Sequence, residues 1–403
     1  MPQNAVRKKI LVLTSTFPRW KDDVEPPFVY ELCRRLTDSY NVHVLAPHAS
    51  GAASEERLNG IQVTRHRYFF SHWETLAYQG GMLANLKKNP LKYCLVPFFF
   101  FSQLHALKRL LHQQHFDLIH AHWLIPQGLI ALTAKFLVKT APPLLTTSHG
   151  GDLFALRGSL ARRLKRQVAI HSCAVTVVSR SMSSALAKLE VDQKKINIIP
   201  MGVDLQTVFV PPVKRERTEV LLFVGRLVEK KGLKFLIEAL PQILVEYPGV
   251  RLRIVGDGQE KNLLQKRVSE LGIGNRVDFL GGVKNESLPA LYQTSDVVVF
   301  PSVIADGGDR EGFGLVLVEA LGCECATVVT DLPAMQDIIS DGKTALVVPQ
   351  YDSQQITEKV LRLLKESELR RSLGKRGRRY VLQRFDWENV IRQYTDLIHS
   401  VTG

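Results

Sequence analysis

The stretch "VLLFVGRLVEKKGLKFLIEALPQIL", residues 220 to 244, passes from an unbroken apolar run through a glycine and a charged turn into a helical pattern. The run, near residues 220 to 225, reads as a strand buried on both faces, and the segment after it as the helix that covers a parallel sheet. The same alternation continues downstream, with apolar runs near 251 to 255, 276 to 280, 297 to 300, 326 to 330 and 345 to 348. Helical patterns such as "QQITEKVLRLLKE" separate them. Upstream, strands are expected near 9 to 14, 42 to 46, 117 to 121, 144 to 148 and 174 to 178. A helix between the first two should turn Phe28, Leu32 and Leu36 inward.

Between the halves, "QTVFVPPVKRERT" (206 to 218) breaks the rhythm with two prolines and a burst of charge, as a linker does. A chain of 403 residues also exceeds what one hydrophobic core usually supports. The fold class is therefore α/β: two Rossmann-like, doubly wound parallel-sheet domains, residues 1–205 and 206–385, followed by closing helices without a further strand. A ligand is expected where the carboxyl ends of the strands face a cleft. The first strand is not followed by Gly-x-Gly-x-x-Gly, which speaks against a dinucleotide-binding oxidoreductase.

Composition narrows the class. No run reaches the roughly 18 to 20 apolar residues of a membrane span; the best candidate, "YCLVPFFFFSQLHAL", carries a proline, a glutamine and a histidine. The N-terminus lacks the apolar core and cleavage site of a signal peptide, so a cytoplasmic location is expected. Five scattered cysteines (Cys33, Cys94, Cys173, Cys323, Cys325) show no metal-binding spacing and read as reduced packing residues.

The formal net charge of +14 points to nucleic acid, anionic lipid or phosphorylated small molecules as partners. Two acid-free stretches, residues 75–116 and 153–189, concentrate it. The first sets lysines and an arginine around four consecutive phenylalanines; the second holds a helix-like segment with Arg157, Arg162, Arg163, Lys165 and Arg166. Basic side chains beside large apolar ones suit an anionic membrane surface. Either stretch alone is as readily a core face with a solvated charged face. Two in one half favour the membrane.

Three constellations carry chemistry. In "FVGRLVEKKG", Gly225 lets the chain turn at the strand's end, while Arg226 and Lys231 place two positive charges at its mouth. A diphosphate suits them, since arginine offers a planar fork and lysine a point charge; ordinary solvated charges are the bland alternative. In "EGFGLVLVEA", the N–H groups of Gly312, Phe313 and Gly314 lie at a helix start, where they can donate to a ligand. Glu319 sits one to two turns into that helix in an apolar run, where a carboxylate needs a polar guest and can grip a vicinal diol. Glu311 precedes the glycines and, taken alone, fits a surface role equally well. In "TTSHGGDLF", His149 is expected to stand exposed beside glycines, able to donate to a hydroxyl or exchange a proton near neutral pH; a capping or core histidine is the usual alternative. Asp152 reads equally as the N-cap of the basic helix that follows.

Together "VGRLVEKKG", "PSVIADGGDREGFGLVLVEALGCECATVVT", "TSHGGD", "IIPMGVD" and "FDWENVIRQY" resemble the retaining glycosyltransferases of family 4, with GT-B architecture, over nearly the whole chain. The resemblance implies a nucleotide-sugar donor bound mainly by the C-terminal domain without a metal or cofactor, and a terminal helix (386–403) that crosses back to the N-terminal, acceptor-binding domain. It assigns the donor diphosphate to Arg226 and Lys231, the ribose to Glu319, and the transferred sugar to Glu311 with the amides of Gly312 to Gly314, Leu315 lying on the same donor side. Backbone near Val283 would contact the base, with Leu288 beside the nucleotide, and His149 the sugar near the reacting carbon. It implies no general base.

One departure stands out. Many relatives follow the first strand with a Gly-Gly loop, whereas this chain reads "TSTFPRWKDDVEPPFVYEL", as in a branch from bacterial surface-polysaccharide assembly. Phe17 and Arg19 become candidates for the acceptor or phosphate side, together with Asp152. The expectation is a hexosyltransferase acting on a lipid-linked or polysaccharide acceptor, peripheral on the inner face of the cytoplasmic membrane and not a nucleic-acid binder. A GT-B nucleotide-sugar epimerase is the alternative, and a basic nucleic-acid-binding protein a more distant one. Oligomeric state, base, sugar and linkage are not legible.

Overall fold

The computed structural model describes residues 7–20, 23, 28–78, 80–214 and 216–403. Its strands are β1 (Lys9–Leu13), β2 (Asn41–Pro47), β3 (Glu55–Leu58), β4 (Ile61–His66), β5 (Leu118–His122), β6 (Leu144–Ser148), β7 (Ala174–Val177) and β8 (Ile196–Ile198) in the first half. The second half holds β9 (Val220–Val224), β10 (Arg251–Val255), β11 (Val277–Gly281), β12 (Val297–Phe300), β13 (Ala326–Thr330) and β14 (Leu346–Val348).

They form two sheets, ordered β3-β4-β2-β1-β5-β6-β7-β8 and β11-β10-β9-β12-β13-β14. Every pairing is parallel except β3 with β4, which are antiparallel. Central strands β1, β5, β6, β9, β12 and β13 are almost entirely buried, as strands covered by helices on both faces must be. In both sheets the strand order reverses at a switch point, β1/β5 and β9/β12, and open α/β sheets bind ligands at the carboxyl ends flanking such a point.

The chain divides into two compact units: Met1–Val178 with Met182–Ile199 and Ile391–Gly403, and Ser179–Ser181 with Pro200–Val390. The terminal helix Trp387–Thr402 straddles the division, and its last part is fastened into the first unit, where Lys8 Nζ donates to the Thr402 hydroxyl (2.9 Å) and to the carbonyls of Thr402 and Gly403.

The structure adds to the sequence reading in two places and corrects it at Phe28. The β3–β4 hairpin and the short β8 were not foreseen. Asn59-Gly60, both at positive φ (44° and 85°), join β3 to β4, a turn whose twist matches the strands it connects. The helix Phe28–Leu36 buries Val29, Leu32, Cys33 and Leu36, while Phe28 is half-buried. The four phenylalanines split: Phe99 is core, whereas Phe98 and Phe101 are exposed on the helix Leu95–Gln113.

Candidate functional site

In the second unit the loop after β9 and the loop after β12 are stitched together by three consecutive residues. Glu229 accepts the Asp306 N–H (2.7 Å), Lys230 pairs with Asp309 (3.2 Å), and Lys231 pairs with Glu311 at 2.5 Å. The Val303 N–H also donates to the Lys230 carbonyl at 2.9 Å. Gly232 makes the approach close: its φ is +62°, and a Cβ there would lie 1.9 Å from the Pro301 carbonyl oxygen. Lys231 is thereby set against the segment that leads into Glu311.

The helix Leu315–Gly322 begins at Gly314, whose φ of 114° turns the chain into it. Among the described residues, the N–H groups of Gly312, Phe313 and Gly314 have no protein acceptor, leaving three consecutive donors at a helix start. Phe313 is core and packs edge-on to Phe385 (5.5 Å), so that residue can meet a ligand only through its backbone. Leu315 is half-buried beside it.

Glu319 is 8% exposed. Its Oε2 accepts the Tyr292 hydroxyl at 3.0 Å. The electrostatics tie the four charged candidates together. Burial pushes the Glu319 carboxyl up to about 7, against the Tyr292 hydrogen bond and the attraction of Lys231. Burial would raise Glu311 too, but Lys231, Lys230 and Arg226 hold it at about 2. Lys231 thus acts on both acids, and Arg226, exposed at the end of β9, acts on one of them. Lys231 and Arg226 thus bring two positive charges to bear at Glu311.

Val283 is half-buried in the loop after β11, and Leu288 is buried at the start of the helix Leu288–Gln293. Gly225 follows β9, and at Gly256, after β10, an added Cβ would strike the Gly225 carbonyl at 2.0 Å. These two loop starts are packed backbone to backbone.

In the first unit His149 follows β6 and corrects the expectation of an exposed, titrating imidazole. It is half-buried; its Nε2 lies 2.9 Å from His122 Nδ1, and the rings stack at 5.2 Å with 8° between planes. Burial, with a further contribution from His120, lowers its pKa to about 3, so the ring is neutral at physiological pH. His120 falls to about 3 for the same first reason. Phe28 packs on the His149 ring at 4.8 Å and Trp123 at 5.1 Å. Among the described residues, His149 Nδ1 and His122 Nε2 are buried without a hydrogen-bond partner. Trp123 has φ 76°, an arrangement that costs a non-glycine residue about 1–2 kcal/mol, and its N–H is tied to the Thr147 carbonyl at 2.6 Å.

Asp152 does not cap the basic helix, which starts at Ser159 after Gly158. It is 2% exposed and accepts from the Leu124 N–H (2.7 Å) and the Ser148 hydroxyl (2.8 Å), which fixes the turn after His149. Lys165 likewise leaves the solvated face expected for it; it is buried and donates to the carbonyls of Leu153 (2.9 Å) and Leu156 (2.7 Å). Phe17 is a core residue, edge-on to Tyr30. Arg19 is held by Asp23 in a two-pronged pair (2.8 and 2.7 Å) with its guanidinium over Trp20. Phe17 is thus packed inward, and Arg19 is paired within its own loop. Sequence reasoning missed Tyr292, His122 and the Glu229–Lys230 clasps; the alternation "HAH" at 120–122, which places two histidines on one strand face, was the available signal for one of them.

Two family models match the chain in succession: "Glycosyltransferase Family 4" over residues 27–207 and "Glycosyl transferases group 1" over residues 206–380. The chain is 28% identical over 302 residues to an N-acetyl-alpha-D-glucosaminyl L-malate synthase of Bacillus anthracis, covering 72% of this chain and 76% of that protein. It is 26% identical to a GDP-mannose-dependent alpha-(1-6)-phosphatidylinositol monomannoside mannosyltransferase of Mycobacterium tuberculosis, over 97% of this chain and 98% of that one. Among solved structures, a sucrose-phosphate synthase from Thermosynechococcus elongatus matches with a TM-score of 0.81 at 21% identity, covering 98% and 99% of the two chains. Anabaena HepE in complex with UDP matches at 0.74 and 18%, covering 98% and 100%. At these identities the structural likeness speaks for the fold.

Proposed function

We propose, from the premise that the chain belongs to family 4 of the glycosyltransferases and is a GT-B enzyme working with nucleotide sugars, that it moves a hexose-type sugar from a UDP- or GDP-sugar to a lipid-linked or polysaccharide acceptor in cell-surface glycan synthesis. The observation that carries this reading is the convergence of Lys231 on Glu311 and Glu319, beside Arg226 and three amides that have no protein acceptor among the described residues.

In this reading the diphosphate lies at Arg226, Lys231 and the N–H groups of Gly312 to Gly314. These donors neutralise the leaving group where other transferases use a metal. Glu319 accepts from the ribose and Glu311, ionised at any working pH, from the transferred sugar. Backbone near Val283 contacts the base, and Leu288 lies beside the nucleotide. His149, neutral and with Nδ1 unpartnered among the described residues, is assigned to the transferred sugar near its reacting carbon. Retention follows from same-face attack, in which a leaving phosphate oxygen takes the acceptor proton; no side chain is given that role.

The enzyme is further proposed to rest on an anionic membrane. No helix among the described residues is long and apolar enough to cross one. The first unit does expose a contiguous aromatic cluster: Phe69 contacts Phe70 (5.2 Å), Trp73 (6.2 Å) and Phe98 (5.2 Å), with Phe70 76% and Trp73 62% exposed. Lys87 and Lys88 are exposed at the end of the helix Met82–Lys88, within the first acid-free stretch. In the second stretch Arg157, Leu160 and Arg163 are exposed.

Thermal unfolding with a panel of UDP-, GDP- and ADP-sugars tests the donor assignment, and NMR of the product anomer tests retention. Activity should survive EDTA. The absence of any stabilisation across the panel, or release of an altered free nucleotide sugar without an acceptor, would overturn the proposal.

A further inference from the structure

Tyr292 is fully buried on the helix Leu288–Gln293, yet it ends in a polar group aimed at the site. Its hydroxyl lies 3.0 Å from Glu319 Oε2 and 3.2 Å from the Val316 carbonyl oxygen. A phenol has one proton, and an ionised acceptor takes the stronger bond. Burial, with Glu319 next, pushes the Tyr292 hydroxyl well above its ordinary range, so it remains a donor at every working pH. The ring is fixed by Phe209, edge-on at 6.1 Å, and the Tyr292 carbonyl by the Cys325 thiol at 3.1 Å. Oε1 of Glu319, by contrast, takes part in no hydrogen bond among the described residues, the Tyr292 bond being made to Oε2.

We propose that Tyr292 is a positioning residue for ribose recognition: it pins Oε2 of Glu319 so that Oε1 is presented to the ribose hydroxyls of the bound nucleotide. This rests on the reading of Glu319 as the ribose acceptor. A side chain that served only to fill the volume would need no hydroxyl, and burying one is unfavourable unless it meets a partner. The bond instead removes the freedom of a glutamate whose three side-chain torsions would otherwise have to be ordered by the ligand.

The test compares binding of UDP and GDP with that of their 2′,3′-dideoxy forms, by calorimetry, in the full chain and in Tyr292→Phe and Glu319→Ala. Wild type should favour the ribose form roughly ten- to hundredfold, the range expected for hydrogen bonds to a charged group. Glu319→Ala should abolish the preference. Tyr292→Phe should cut it roughly three- to tenfold while leaving inorganic pyrophosphate binding within about twofold of wild type, a pattern that general loosening of the unit would not give. A preference lost in Glu319→Ala but unchanged in Tyr292→Phe overturns the role of Tyr292 and leaves the ribose assignment standing. A preference that survives Glu319→Ala overturns both. Should Tyr292→Phe be too unstable to titrate, Glu319→Gln is compared with the double variant, since an uncharged amide tolerates loss of the hydroxyl; equal preferences in those two would overturn the proposal.

Discussion

Lys231 is the side chain on which the donor assignment turns, and Lys231→Ala gives a graded test. Lys231 sits 2.5 Å from Glu311, both side chains being mostly shielded from solvent (14% and 16% exposed). Removing it leaves Glu311 with Lys230 and Arg226, so its carboxyl should rise from about 2 but not to the value that burial alone would set. Stability then falls, and the sign is fixed by linkage. A carboxyl depressed from 4.5 to about 2 contributes stability above pH 4.5 that is lost as pH drops toward 2. The gap in Tm between wild type and variant should therefore be widest near neutrality and close below about pH 3. The ligand effect is separate. A lost charge-assisted bond to a diphosphate is worth about 1.5–3 kcal/mol, or roughly ten- to hundredfold in affinity. With nucleotide sugar at 100 times the wild-type Kd, stabilisation is about 2.7 kcal/mol; a hundredfold weaker variant retains about 0.4. At about 2–4 °C per kcal/mol for domains of this size, a shift of roughly 5–10 °C should shrink to about 1 °C. A ligand-induced shift equal to that of wild type, in a variant with native circular dichroism, would refute the placement of the diphosphate at Lys231.

Burial raises Glu319 to about 7, so the ribose-over-dideoxyribose preference should be full at pH 8 and decline as pH falls through 7 toward 5.5, where the protonated acid is a weaker acceptor; calorimetry at the two pH values checks this. Gly232→Ala should destabilise by at least about 1–2 kcal/mol and lower affinity for inorganic pyrophosphate, because φ is +62° and the new Cβ would lie 1.9 Å from a backbone oxygen; chemical denaturation and titration measure both. Replacing Phe70, Trp73 and Phe98 together by serine should release the protein from phosphatidylglycerol vesicles in a flotation assay and leave donor stabilisation intact, since all three are largely exposed.

Much of the architecture was legible because central strands of parallel sheets must be apolar on both faces. The strands at 144–148, 251–255, 297–300 and 326–330 fall where the apolar runs place them. The hairpin Glu55–Leu58 with Ile61–His66 escaped because its first strand is polar and exposed at a sheet edge, where no such requirement acts. Its Asn-Gly turn was the legible part. Charge was read less well than apolarity. Lys165 appeared on a solvated basic helix face, but it turns inward and satisfies two carbonyls of the preceding turn, which only the path of residues 153–156 could reveal.

The candidate site divides along the same line. Lys231, Glu311 and Glu319 were identifiable because each belongs to a short motif whose backbone conformation is nearly dictated by glycine: Gly232 and Gly314 both adopt positive φ, and each turns a strand's end into a helix start. Their partners obey no such rule. Tyr292 reaches Glu319 across 27 residues, and His122 reaches His149 across the same interval, in each case because two neighbouring strand-and-helix layers bring them together. A carboxylate in an apolar run signals that some polar partner exists, since an unpaired one is untenable. Which residue supplies it depends on strand order, and strand order is a property of the sheet rather than of the motif. Sequence therefore locates the groups that meet a ligand better than those that hold them in place.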